Sequence, residues 1–580
     1  MSAPMTPILY RVVPALDALR TYRLQDARAD VLAGLTVAAV AVPQAMAYAM
    51  VAGLPVEHGL YTAIVMTAVG AVLDSSRQLI NGPTNAISIA VLSAIALVPG
   101  DKVQAAVLLA FLVGAVQLGI TFLRLGDLTR YISHSVIVGF TAGASTLLVL
   151  DQLKNLLGLT SMGDVHAHFL VRFLRTLVEG GPVHLVTVAV GLGSVAAVLG
   201  LRWLKGKLGW VLFPELLTVV VLAALVVAGL GLDAEGVKVV GAIPAALPGF
   251  ALPHLDVALI RDLAPSAVAI GTLGLLEAIA MAKSIAQRTR QKLDLNQQCF
   301  SEGLANFTGS FFQCFPGSGS LTRSAINQQA GAVSQWSGVV SALAVAAIVL
   351  LFAPYARFIP RAALAGILMV TAARMIDPKQ LLYHLRASRF DAIIVVATAV
   401  AAVAISVEFC VLIGVFLSFL LAVPRAGQAV LTEFVAGPDG VAHERFPGDP
   451  GSDPILIFGL EGEMFFGAAP NLERHFESIE ARILPSTQVL VLRLKRFRTP
   501  DAVGMHLLED FLARVRGRGV TVLTCGVRDE LYRAFEKTGL AEELAPEHVF
   551  REEPVRQTST MLAVRHAYAL VDGAHAARGA

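Results

Sequence analysis

The sequence predicts a polytopic α-helical membrane protein whose fourteen spans form two inverted repeats of seven, followed by a small soluble α/β domain. Three observations predict it. Long apolar runs recur through the first 424 residues, two of these runs are cut by matched glycine-rich breaks, and charge crowds into the C-terminal quarter. The 580-residue chain is 56% hydrophobic and 15% charged, where an ordinary soluble chain carries about 25% charged residues. Of its 45 basic and 43 acidic residues, 40 lie from Arg425 onward. Residues 1–424 are therefore read as a transmembrane domain, 425–453 as a linker, 454–570 as a cytosolic domain and 571–580 as a tail. A net charge of +2 gives no reason to invoke a nucleic-acid partner.

A helix crossing the hydrocarbon needs about 20 apolar residues. Qualifying runs lie near 30–50, 56–74, 83–98, 103–123, 134–151, 183–201 and 211–231. A second set lies near 265–283, 299–314, 320–332, 336–354, 359–373, 390–406 and 408–424. Basic residues between spans set the orientation. With a cytoplasmic N-terminus, about 19 Lys and Arg fall in inside loops and about 8 in outside loops, Arg323 being left out as intramembrane. An even number of spans then returns the C-terminal domain to the cytosol, and an inner-membrane location is expected. Pro4, Pro7 and Pro14 interrupt the N-terminus, so the first apolar run, near Val31, is read as a retained span and not a signal peptide. Cys299, Cys314, Cys410 and Cys525 show no CxxC spacing, and neither a metal site, a disulfide framework nor any cofactor is expected.

The repeats, about 29–231 and 265–424, are visible in two places. Val42–Ala49, containing Pro43, Gln44 and Tyr48, aligns with Leu275–Ala282, containing Glu277. Two spans further on in each half, a break precedes a short helix: Asn81-Gly82-Pro83-Thr84-Asn85 and Pro316-Gly317-Ser318-Gly319-Ser320. Seven is odd, so the second copy enters the membrane upside down, and the binding site is expected at the interrupted helices.

Each break stops a helix partway through the bilayer, which is tolerated only where protein or a water-filled cavity satisfies the backbone. Each restarting helix offers unpaired N–H groups and the positive end of its dipole. Two such ends facing one another make an anion site. Thr84, Ser320 and Thr322 can cap those ends or donate to a bound oxyanion. Arg323 stands on the first turn of the second short helix, with no other charge between Glu302 and Arg357. An Arg at mid-membrane costs about 2.5–3.5 kcal/mol even on the generous insertion scale. A bound anion is its natural partner; snorkelling or a permanent ion pair is the structural alternative. Glu277, within the run 265–283, can carry a proton or pair with Arg323 or a sodium ion. Gln44, its counterpart, is uncharged, and Tyr48 lies one helical turn beyond.

The chain resembles the SulP family of anion transporters, of sulfate-permease type, over nearly its whole length. The segments that carry the resemblance are Ala33-Gly34-Leu35-Thr36, Pro43–Ala49, Ala52-Gly53-Leu54-Pro55 with Gly59-Leu60-Tyr61, and Ser76-Arg77-Gln78 with Gly82-Pro83. Leu276-Glu277, Asp294-Leu295-Asn296-Gln297, Gly303-Leu304-Ala305-Asn306 and Ser320–Ser324 complete the set. The resemblance implies fourteen spans divided into core and gate, homodimers and elevator-type alternating access. It places the anion between the third and tenth spans, at Thr84, Asn85, Leu321, Thr322 and Arg323, with Gln44 and Tyr48 from the first. It also implies that Glu277 is the acid used by proton-coupled members. Sodium-coupled members have a Thr one turn beyond that acid where this chain has Met281, so a proton is the expected coupling ion.

Beyond Gly437-Pro438-Asp439-Gly440 and Gly448-Asp449-Pro450-Gly451, read as flexible linker, strands are expected at Ile455–Leu460, Gln488–Leu494 and Val520–Thr524. Helices at Asn471–Arg482, Asp501–Arg516 and Glu530–Lys537 alternate with them. This pattern is similar to the STAS domain that follows SulP membrane regions. Where soluble relatives carry a phosphorylated Ser after Asp, this chain reads Asp501-Ala502-Val503-Gly504, which speaks against a phosphoswitch there.

The expected function is secondary transport of a small anion of the sulfate, bicarbonate, chloride or dicarboxylate class, proton-coupled through Glu277. The alternatives are a nucleobase–proton symporter of the same architecture and a membrane-anchored signalling protein with STAS output. No nucleophile–base pair or metal-ligand spacing suggests an enzyme.

Overall fold

Apolar helices and two interruptions dictate the architecture. The computed structural model describes residues 12–96, 98, 100–124, 133–163, 168–210, 213–436, 442–446, 449, 454–553 and 558–578. It forms two units, Met1–Ser418 and Phe419–Ala580. In the first repeat, helices run α1 (Leu24–Val51), α2 (Val56–Leu73), α3 (Asn85–Ala96), α4 (Lys102–Phe122), α5 (His134–Leu157), α6 (Leu185–Leu208) and α7 (Glu215–Leu230). The second runs α8 (Val257–Thr289), α9 (Leu295–Ser310), α10 (Leu321–Gln329), α11 (Trp336–Phe352), α12 (Arg361–Met375), α13 (Arg389–Ala404) and α14 (Val407–Ala426). Eight described helices are long and apolar enough to cross a membrane unaided. The other six need their neighbours, α3 and α10 above all.

The repeats match in an element that hydropathy does not reveal. A short amphipathic helix, Phe169–Glu179, separates α5 from α6, and another, Pro378–Ala387, separates α12 from α13. Each is polar on one face, so neither registers as an apolar run. Helix α8 also differs from the expected span 265–283: Asp256 caps it by accepting from the Ala258 amide, and it extends to 33 residues.

Two packing groups emerge. Helices α1, α2, α4, α8, α9 and α11 pack on one another as a core that encloses the half-helices, while α5, α12, α13, α6 and α7 form a second group. Between the half-helices, β1 (Asn81–Gly82) pairs antiparallel with β2 (Ser318–Gly319), Asn81 opposite Gly319 and Gly82 opposite Ser318. Gly82 has φ +140, and a Cβ on Gly317 would lie 2.6 Å from the Gly82 carbonyl oxygen. Only glycine permits both.

In the second unit, six strands lie in the order β4-β3-β5-β6-β7-β8. They are β3 (Val430–Ala436), β4 (Ala442–Glu444), β5 (Ile455–Glu463), β6 (Val489–Arg498), β7 (Thr521–Val527) and β8 (Val549–Arg551). β5 to β8 are parallel, and β3 and β4 join antiparallel. Helices α15 (Ala469–Arg482), α16 (Ala502–Gly517) and α17 (Asp529–Thr538) cover one face, where the Phe476 and Phe511 rings stack 4.4 Å apart. Helix α18 (Thr558–Arg578) covers the other with Ala563, Val564 and Ala567. Residues 425–453 are thus not simply linker, because β3 and β4 extend the sheet, and residues up to Arg578 of the expected tail are helical. The two glycine-rich segments, 437–440 and 448–451, lie outside the described residues except for Asp449. Asp501 caps α16, accepting from the Gly504 amide at 2.8 Å and the Phe466 amide at 2.7 Å.

Candidate functional site

The site grows out of the β1–β2 pair. Two antiparallel strands, each leading directly into a helix, place the N-termini of α3 and α10 side by side. Side chains brace this crossing from behind. The Asn306 side-chain amide donates to the Gly317 carbonyl at 3.1 Å and accepts from the Gly317 N–H at 2.9 Å. Ser318 donates to the Gly274 carbonyl, and the Ser320 amide donates to the Ile80 carbonyl, each at 2.8 Å.

Each half-helix is capped by the hydroxyl immediately before it. Thr84 Oγ1 accepts from the Ile87 amide at 3.4 Å, and Ser320 Oγ accepts from the Arg323 amide at 3.4 Å. The first two N–H groups of each helix have no intrahelical partner, so both tips present main-chain donors together with the dipole's positive end.

Both tips open on one cavity of about 400 Å³, lined from the core by Tyr48, Thr84, Asn85, Glu277, Ser320, Leu321 and Thr322. His134, Phe140, Arg374 and Met375 of the second group, with Asp377 and Gln380 from the start of the helix Pro378–Ala387, close its other side. Seven of the nine residues named from the sequence therefore converge here. Thr84 Oγ1 donates to Glu277 Oε2 at 3.0 Å, so one hydroxyl links the first tip to the carboxylate.

Gln44 and Arg323 are placed elsewhere. Gln44 faces an adjoining cavity of about 510 Å³, which shares Leu321, Thr322, Arg374 and Met375 with the first. Both atoms of its buried amide lack a hydrogen-bond partner. Arg323 is 1% exposed and lines neither cavity. Its guanidinium lies behind the tips, donating to the Pro83 carbonyl at 2.9 Å. Among the described residues neither Arg323 nor Glu277 forms an ion pair, so of the roles open to Glu277 the pairing with Arg323 is not made. Arg323 supplies positive charge from beneath and ties the second half-helix to the backbone of the first break.

Arg374, which nothing in the sequence singles out, lines both cavities. It ends an apolar helix and reads as an ordinary interfacial cation. Arg202 and Lys205 line the second cavity and bond Glu215 at 3.1 and 2.9 Å.

Residues 28–398 match the sulfate permease family, and residues 448–554 match the STAS domain. The chain belongs to the sulfate permease family. Members are transporters, so this is a multi-pass membrane transporter with a C-terminal STAS domain, and not an enzyme. It is 28% identical over 532 residues to the putative sulfate transporter YvdB of Bacillus subtilis, covering 91% of this chain and 97% of that one. It is 26% identical to sulfate transporter 4.1, chloroplastic, of Arabidopsis thaliana, covering 93% and 81%. The fold matches murine Slc26a9, an anion transporter in the inward-facing state, with TM-score 0.85 at 20% identity, covering 98% and 96%. The transmembrane domain of the cyanobacterial bicarbonate transporter BicA matches with TM-score 0.58 at 23% identity, covering 68% of this chain and 98% of that one.

Proposed function

We propose that this transporter carries a small anion, held between the N-termini of α3 and α10. The observation that carries the reading is the convergence of Thr84, Asn85, Leu321 and Thr322, from two broken helices, on one cavity. Main-chain N–H donors at paired dipole ends, with a guanidinium behind them, favour an anion over a neutral or cationic solute. The names of the sulfate transporters among its relatives make sulfate the first substrate to test, ahead of bicarbonate, chloride and dicarboxylates.

Coupling is assigned to a proton carried by Glu277, which faces the cavity and accepts from Thr84 at the first tip. The cavity lies along the seam between the two helix groups, so sliding one group past the other carries the anion across: an elevator movement. Its lining includes His134, which begins α5, and Asp377 and Gln380, at the start of the helix Pro378–Ala387, helix ends that the basic-residue bias assigns to the cytosolic side. On this reading the cavity opens inward and both termini are cytoplasmic, and the expected homodimer in the inner membrane remains part of the proposal.

Uptake into reconstituted vesicles tests the proposal, using sulfate, bicarbonate, chloride, a dicarboxylate and uracil, with and without a pH gradient. Anion uptake driven by an inward proton gradient is expected, with uracil inert. Arg323→Ala removes a charge-assisted hydrogen bond of about 1.5–3 kcal/mol, and uptake falls by one to two orders of magnitude. Unchanged uptake by folded Arg323→Ala protein rules out the site assignment.

A further inference from the structure

A second group of buried acids lies behind the first break, and neither member lines the cavity. Asp74 follows α2 and is 0% exposed; Glu302, in α9, is also 0% exposed. Asp74 Oδ1 is heavily used: it accepts from Gln298 Nε2 at 2.6 Å, Ser301 Oγ at 2.6 Å and Asn81 Nδ2 at 3.3 Å. These bonds gather α2, α9 and β1 around one carboxylate. Glu302 adjoins Ser301 in sequence and lies one helical turn beyond Gln298, which brings it to the same place.

The oxygens left over are the unusual feature. Asp74 Oδ2, both Glu302 carboxylate oxygens, Asn81 Oδ1 and Ser76 Oγ are all buried, and none has a hydrogen-bond partner. Ser76 is 0% exposed and Asn81 is 1% exposed. The Ser76 amide donates to Gln298 Oε1 at 3.3 Å, which fixes this residue beside the same glutamine that bonds Asp74. No ion pair to Asp74 or Glu302 occurs among the described residues. Buried unpartnered acceptors are costly, and two buried carboxyl groups without a counter-charge are costlier still. One proton shared between the carboxyl groups provides a single donor and leaves most of the other acceptors bare. A small hard cation serves several oxygens at once.

We propose that Asp74 and Glu302, with the Asn81 side-chain carbonyl and the Ser76 hydroxyl, form a binding site for one sodium ion. The site lies against β1, three residues before Thr84. An ion there holds Asn81, and with it the paired strands from which both half-helices start. Sodium therefore stabilises the fold around the tips.

The test is thermal unfolding of the full chain in detergent micelles, at constant chloride and ionic strength, with N-methylglucamine replaced stepwise by sodium. The wild-type Tm is expected to rise by a few degrees and to saturate, as for a ligand that binds only the folded state. Glu302→Gln and Asp74→Asn are expected to lose the sodium-dependent rise, while Glu277→Gln retains it. Should the acid variants not fold, Ser76→Ala removes one oxygen, and the sodium concentration giving half the rise is expected to increase several-fold. The proposal is overturned by a wild-type Tm indifferent to sodium, by a response to acid alone, by Glu302→Gln protein with an intact sodium response, or by Ser76→Ala protein with an unshifted midpoint. None of these outcomes depends on whether the tips bind an anion.

Discussion

Thr84→Val separates the shape of the first tip from its chemistry. Valine keeps the branched outline of threonine but deletes a hydroxyl with two bonds. It donates to Glu277 Oε2 at 3.0 Å and accepts from the Ile87 amide at 3.4 Å. The first is charge-assisted and worth about 1.5–3 kcal/mol, and the cap is worth about 1 kcal/mol. If about 2 kcal/mol of this total is expressed in the transport cycle, uptake falls roughly thirty-fold, since 1.4 kcal/mol is a factor of ten. Thr84→Ser retains donor and acceptor and is expected to stay within about three-fold of wild type. The assay is initial-rate sulfate uptake into proteoliposomes across a series of imposed pH gradients, normalised to reconstituted protein. Thr84→Val is expected to weaken the response to the gradient as well as the rate, because the hydroxyl joins the tip to the coupling acid. Wild-type uptake and gradient response in folded Thr84→Val protein refute the link between Thr84, Glu277 and the substrate.

Two further substitutions and one labelling experiment test other parts of the molecule. Gly82→Ala places a Cβ 2.8 Å from Arg323 Nη1 at a residue whose φ is +140. Strain of about 1–3 kcal/mol is expected to lower Tm and abolish uptake, and a folded, fully active variant contradicts the described break. Glu277→Gln keeps the acceptor for Thr84 but cannot carry a proton, so gradient-driven accumulation is expected to disappear while anion exchange survives, as measured by counterflow. In the STAS domain, burial pushes the Cys525 thiol up to about 11. The reactive thiolate is then about one part in a thousand at pH 8, and peptide mapping after maleimide treatment is expected to find Cys525 unmodified until the chain is denatured.

Much of the membrane architecture is legible in the sequence, because the bilayer imposes a length and a hydropathy on every span. The half-helices are legible for the same reason. Gly82-Pro83 and Gly317-Ser318-Gly319 cannot continue a helix, and a bare interruption is not tolerated in lipid. Depth is therefore readable where rotation is not. Arg323 reads as an intramembrane charge beside the second tip, yet nothing local tells that its guanidinium turns back to the Pro83 carbonyl. Gln44 likewise lies on the first span as expected but faces the adjoining cavity. Asp74 falls at the very end of the expected span 56–74, and only the folded chain shows it enclosed by Gln298, Ser301 and Asn81. The helices Phe169–Glu179 and Pro378–Ala387 lie outside hydropathy's reach, since half of each is polar. In the STAS domain, the alternating pattern marks β5 to β7 and α15 to α17. The antiparallel strand β4 is only three residues long, and both β3 and β4 adjoin glycine-rich sequence, which masks them.

The position of the bound anion is the most direct test. Anomalous scattering from crystals grown with selenate in place of sulfate locates it without reference to any mutant. The expected peak lies within hydrogen-bonding distance of main-chain amides at both Asn85 and the Leu321–Thr322 turn. A peak confined to the Arg202, Lys205 and Arg374 cluster, touching neither tip, contradicts a site made by two facing half-helices.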